Sequence, residues 1–170
     1  MYYNHVIKNL EDNASTFKSL LKNISEEQAS WKLSLEKWSL LEIVNHLYDE
    51  EREDFRQRIM NIFEDPKKDW APIAPAEWVT KREYATRDFK TSLSKFLEER
   101  KKSIEWLKSL NSPTWKAVHN HPKLGEMSAE MLLANWLAHD YLHIRQITFM
   151  HWSYLSHITP SINLDYAGNW

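Results

Sequence analysis

The stretch LAHDYLHIRQ, residues 137–146, sets two histidines, His139 and His143, four positions apart. On a helix, residues i and i+4 share one face, one turn apart. On a helical wheel both fall in the arc of Leu132, Trp136, Ile147 and Met150, while Tyr141, Arg145 and Trp152 lie opposite. Both rings therefore point inward. A buried imidazole carries polar nitrogens that need partners. A metal ion satisfies one nitrogen of each ring; core carboxylates or backbone groups do the same, and spacing alone leaves both readings open.

A third ring comes from NHLYDEE. His46 sits at the flank of an apolar helical arc, with Asp49 at i+3 and Glu50 at i+4. A histidine beside carboxylates at the inner edge of a bundle suits a metal ligand with acceptors behind it. It also suits a boundary histidine paired with Glu50 along its own helix. HDYLH invites comparison with the H-E-x-x-H metalloprotease pattern, but the acid is Asp140, one methylene shorter. The extended form of that pattern needs Gly at 146 and His at 149, where Gln146 and Phe149 stand, so a protease is disfavoured. The remaining histidines read as structural. His5 and His157 lie near the two ends, and His119 and His121 fall in a solvated loop beside Pro122. His151 ends the fourth helix, where an imidazolium favours the negative end of the dipole.

Four long helices must position these side chains. The first covers about residues 2–22, with Val6, Leu10, Phe17, Leu20 and Leu21 as its buried stripe. SEEQ, residues 25–28, opens a short helical turn as a capping box. Ser39 and Glu42 form a second capping box, which starts a helix running to about Phe63. The next stretch, EDPKKDWAPIAPAEW, carries three prolines and reads as a long loop. Thr80 and Glu83 cap a third helix ending near Leu110, and Ser128 caps a fourth over about 129–152. NSPTWKAVHNHPKLGE between them is a long connector with room for an extended turn or two, and the tail TPSINLDYAGNW is irregular. Two glycines in the whole chain suit helices far better than sheets joined by tight turns. The expected architecture is all-α: a single four-helix-bundle domain over residues 1–170 with crossover connections.

Composition narrows the function. The net charge is −2 with both signs interspersed, so no basic face invites nucleic acid. No apolar run reaches the ~18 residues of a membrane span, and MYYNHVIKNL lacks a signal-peptide layout; the expected location is the cytoplasm. There is no cysteine, which excludes a disulfide, a thiolate metal site or a protein sulfur nucleophile.

EKWSLLEIVNHLYDEE, HPKLGEMSAEMLLANWLAHDYLHIRQI and the closing DYAGNW occur in an order that resembles the DinB-like superfamily of four-helix-bundle proteins. The resemblance spans nearly the whole chain. It implies an up-down-down-up bundle with two crossovers, and a divalent metal held by His46, His139 and His143. It further implies a homodimer and a small-molecule substrate. Some relatives join a low-molecular-weight thiol of the bacillithiol, mycothiol or glutathione class to an electrophile, and a few hydrolyse or isomerise thiol conjugates.

Three neutral imidazoles leave a position open on zinc or nickel, the ions expected here. Such an ion lowers the pKa of a bound water or thiol, and with no cysteine in the chain the thiol must come from a co-substrate. Glu50, with Asp49 behind it, is expected to orient His46 or shuttle a proton. Gln146 holds a ligand or water, or bonds locally as a helix-edge amide. Trp136 reads as core, and Asp140 as the partner of a basic side chain or an imidazole. Three classes therefore stand: a thiol transferase or related hydrolase, a metal-dependent binding protein, and a structural bundle without chemistry.

Overall fold

A computed structural model describes residues 2–168 and 170. Four rods form the body of the fold. The first, α1, spans Tyr3–Leu21, and a short α2, Glu26–Ser30, follows. The second rod is α3, Leu40–Glu50, which runs through a π-helical segment, Glu51–Phe55, into α4, Arg56–Glu64. After α5, Pro75–Lys81, and a single 3-10 turn, Tyr84–Thr86, comes the third rod, α6, Phe89–Ser109. A hairpin of β1, Val118–His121, and β2, Gly125–Ser128, leads directly into α7, Ala129–Ile158. No helix among the described residues is long and apolar enough to cross a membrane.

Around the bundle, α1 packs on α6 and α7, and the α3–α4 rod packs on the same two helices from the other side. Sequence neighbours α1 and α3 thus stand diagonally, as do α6 and α7. The connector through α2 and the connector through the hairpin each cross the bundle, which explains their length. These are the crossovers expected from the sequence.

Local chemistry starts the two helices that matter most. Ser39 accepts from Glu42 N at 3.2 Å while Glu42 Oε2 accepts from Ser39 N at 2.7 Å, a closed capping box at the head of α3. Ser128 Oγ accepts from Met131 N at 3.1 Å at the head of α7. With both starts pinned, His46 and the pair His139/His143 come at set helical phases.

The core is two apolar halves separated by a polar layer. Val6, Leu10, Ile59, Leu133 and Trp136 belong to one half. Phe17, Leu40, Ile43, Phe96 and Ile147 belong to the other. Between them, each rod supplies a buried polar residue: Asn13, Glu51, Arg100 and Asp140. Arg100, 1% exposed, donates to Asp140 at 2.6 and 2.7 Å, to Glu51 Oε1 at 2.9 Å and to the Leu10 carbonyl at 3.1 Å. Asn13 adds a donor to Asp140 at 3.1 Å, and Trp136 Nε1 donates to Glu51 Oε2 at 3.1 Å. Removing a charge from water costs several kcal/mol, which only this degree of pairing offsets. Asp140 thus takes the basic partner expected for it, and Trp136 lies in the core.

Four expectations need correction. Thr80 and Glu83 do not cap the third helix. Thr80 lies inside α5, and Glu83 has φ 50°, a left-handed conformation that breaks the chain. Tyr84 is drawn inward to donate to Asp49 Oδ2 at 2.5 Å, and the true cap is Asp88, whose Oδ1 accepts from Thr91 N at 2.7 Å. The proline-rich stretch is not all loop, because Pro75 opens α5, where its missing N–H costs nothing. The fourth helix continues to Ile158, so His151 lies within it rather than at its end. There the ring donates from Nε2 to the Leu20 carbonyl at 2.8 Å and accepts from Gln28 at 3.0 Å, clasping the end of α1 and α2 to α7. His119 is buried on the hairpin, not solvated; Nδ1 donates to the Pro66 carbonyl at 2.9 Å and the ring stacks on Trp70 at 4.1 Å.

Candidate metal centre

His46 from α3 meets His139 and His143 from α7 at one point. His46 Nε2 lies 3.3 Å from His139 Nε2, which lies 3.1 Å from His143 Nε2. One nitrogen from each ring falls within 4.8 Å of the others. Among the described residues this is the one group of three or more candidate metal-ligating side chains so placed. His46 and His143 are buried and His139 is half-buried, so the centre opens on the His139 side.

Aromatic rings wall the cluster. Trp38 packs on His46 with centroids 4.9 Å apart, and Phe55 packs on His139 at 5.3 Å. Phe55 in turn lies nearly parallel to Trp136, at 5.8 Å and 8°. The dry wall disfavours charge on the rings. Burial, reinforced by the neighbouring imidazoles, pulls His46 down to about 3 and His139 down to about 2. His143 is also lowered by burial, partly countered by its bond to Gln146 and the Asp140 charge. All three are neutral at pH 7, the state a metal requires.

The proton positions follow. Gln146 Oε1 accepts at 2.8 Å from His143 Nδ1, which directs the Nε2 lone pair of His143 toward the other rings. Gln146 is therefore the locally bonded amide, and it fixes a tautomer. His46 Nδ1 is buried and has no hydrogen-bond partner among the described residues. Glu50 therefore does not orient His46. Its carboxyl neighbours that of Asp54 instead, with Oε1 buried and unpartnered among the described residues, and Arg58 Nε lies 2.7 Å from Asp54 Oδ1. Burial, then the Asp54 charge, pushes Glu50 up to about 9, so it carries a proton at neutral pH. Asp49 faces away from the rings, bound by Tyr84 and by Arg82 Nη1 at 2.6 Å.

The donor set fits a divalent cation. Three neutral rings bring their Nε2 atoms to contact distance; each is a lone pair or an N–H, so one hydrogen bond between two of them leaves the third unpaired, and His46 Nδ1 is unpaired as well. An ion bound by three imidazoles keeps its full charge and an open coordination position.

The arrangement is that of a helical bundle built around a three-histidine centre. A family model described as the DinB superfamily matches residues 9–147, and the chain belongs to that superfamily. Among solved structures it is similar to YfiT from Bacillus subtilis, with a TM-score of 0.77 at 20% sequence identity, covering 87% of this chain and 85% of that one. That protein is described as a probable metal-dependent hydrolase with an unusual four-helix bundle topology. No curated protein sequence matches the chain.

Proposed function

We infer that the protein is a metal-dependent enzyme that transfers a low-molecular-weight thiol to an electrophile or hydrolyses a related conjugate. The observation that carries this reading is the convergence of three ring nitrogens within 4.8 Å inside a helical bundle. The description of YfiT as a probable metal-dependent hydrolase supports it. His46, His139 and His143 would hold zinc or nickel through Nε2. When bound, such an ion acts as a Lewis acid that favours the deprotonated form of a water or thiol at neutral pH.

The chain's own groups do the rest. Gln146 holds His143 in the ligating tautomer. Trp38 and Phe55 exclude water from the backs of the rings, which strengthens every charge interaction in the centre. Glu50, neutral at pH 7 and one helical turn from His46, stores a proton that burial and the Asp54 charge keep in place against the pull of Arg58. A thiol substrate supplies the sulfur this cysteine-free chain lacks.

The test is elemental analysis of untagged protein, coupled to a screen of bacillithiol, mycothiol and glutathione against model electrophiles and their conjugates. The reading expects about one zinc or nickel per chain and turnover that a chelator abolishes. Metal-replete protein without turnover would leave a binding protein, and protein that takes up no metal would leave a structural bundle.

A further inference from the structure

A second face of α3 lines a cavity of about 620 Å³, closed by the Arg82–Asp88 stretch and the first turns of α6. None of the three clustered histidines lines it. Its volume lies in the range of small-molecule sites. Its walls are polar, and the charges on them do not cancel.

Arg82 and Arg52 are consumed. Arg82 Nη2 pairs with Glu53 Oε2 at 2.8 Å and Nη1 with Asp49 Oδ2 at 2.6 Å, while Arg52 Nη2 reaches Asp49 Oδ1 at 3.1 Å. Arg87 is held differently. It donates to Asn45 Oδ1 at 2.8 Å and to the Arg82 carbonyl at 2.9 Å, and its guanidinium lies 4.8 Å over the Tyr84 ring. Every one of those partners is neutral. The guanidinium is thus locked in place with no carboxylate within ion-pair distance among the described residues. Lys95, two turns into α6, lines the same cavity and is likewise without a carboxylate partner among the described residues. Beneath them, Ser92, 4% exposed, accepts from Asn45 Nδ2 at 3.1 Å, and its own hydroxyl proton has no acceptor among the described residues.

We propose that this cavity binds a small polar monocarboxylate, with the carboxylate between Arg87 and Lys95 and the Ser92 hydroxyl donating to it. A locked guanidinium loses little freedom when it forms such bonds. The Asp88 carboxylate on the wall opposes a second negative charge, so a monoanion suits the site better than a dianion. The remaining wall, of ion-paired side chains, suits hydroxyl or amide groups on the rest of the ligand. The site is independent of the metal reading and is tested without metal.

The experiment follows the Asn45 side-chain amide, the Arg87 Nε–H and the Ser92 backbone amide by NMR in chelator-treated full-length protein. D-gluconate is the probe, and D-glucitol, with the hydroxyls but no charge, is its control. Gluconate should shift these signals to saturation, and glucitol should not. Lys95→Gln, on an exposed side chain that does not endanger the fold, should weaken gluconate about two- to fivefold. Arg87→Gln should weaken it roughly tenfold or more. Shifts no larger than those from glucitol would overturn the proposal, as would Lys95→Gln protein that binds gluconate like the wild type.

Discussion

Replacing Gln146 by Leu tests how the centre is poised. The amide oxygen is the 2.8 Å acceptor for His143 Nδ1–H, and His143 is only 9% exposed, so water cannot fully replace it. Leu keeps the volume and removes the acceptor. The ring then either buries an unsatisfied N–H or moves its proton to Nε2, which withdraws the lone pair from the centre. Losing a hydrogen bond to a buried group costs about 1–3 kcal/mol. Loss of a partner behind a ligating histidine weakens metal roughly 10–100-fold, the same energy read as an affinity. Zinc competition against a chromophoric chelator at pH 7.5 measures it directly. Gln146→Glu is the converse, since a carboxylate accepts the same proton more strongly and should tighten zinc. If Gln146→Leu binds zinc within twofold of the wild type while His143→Ala binds none, the orienting role of Gln146 is refuted and only the ring positions matter.

Three further outcomes are expected. His46→Ala should reduce zinc in the purified protein to a small fraction of the wild-type content by elemental analysis, because two rings on α7 make a poor site; unchanged content would remove His46 from the ligand set. Glu50 keeps its proton to about pH 9 in the folded chain, whereas the unfolded chain releases it above about pH 4.3, so folding binds the extra proton between these limits and stability falls as pH rises through that window. Urea titrations of metal-free Glu50→Gln should therefore lose less stability between pH 5 and pH 8 than wild type, by about 4 kcal/mol; parallel pH profiles would contradict a protonated Glu50. Asp140→Asn presents an amide to Arg100 where a carboxylate accepts three hydrogen bonds, and should cost about 3–5 kcal/mol, seen as a thermal midpoint lower by roughly 10 °C.

Local patterns in the chain carried much of this. The His139/His143 face depends only on helical period, and the Ser39–Glu42 box is a four-residue contact, so both are visible in sequence and present in the fold. The third helix start is not legible in sequence because Thr80 and Glu83 have a cap's spacing, while the deciding contact, Tyr84 with Asp49, spans 35 positions. The short hairpin has strands of four residues, too brief for an alternating pattern to stand out. His151 reads as a helix end and His119 as part of a solvated loop because their acceptors, the Leu20 and Pro66 carbonyls, are 131 and 53 positions away.

Helix periods, capping residues and the scarcity of glycine determined the all-α bundle and set two imidazoles on one inward face, since these are effects of neighbours along the chain. Tertiary structure alone decided that His46 completes the cluster, that Glu50 sits beside Asp54 rather than bonding His46, and that Arg100 pairs with both Asp140 and Glu51. Each of those choices weighs the cost of burying a charge or a polar atom against partners on other helices, and that comparison exists only once the helices are packed.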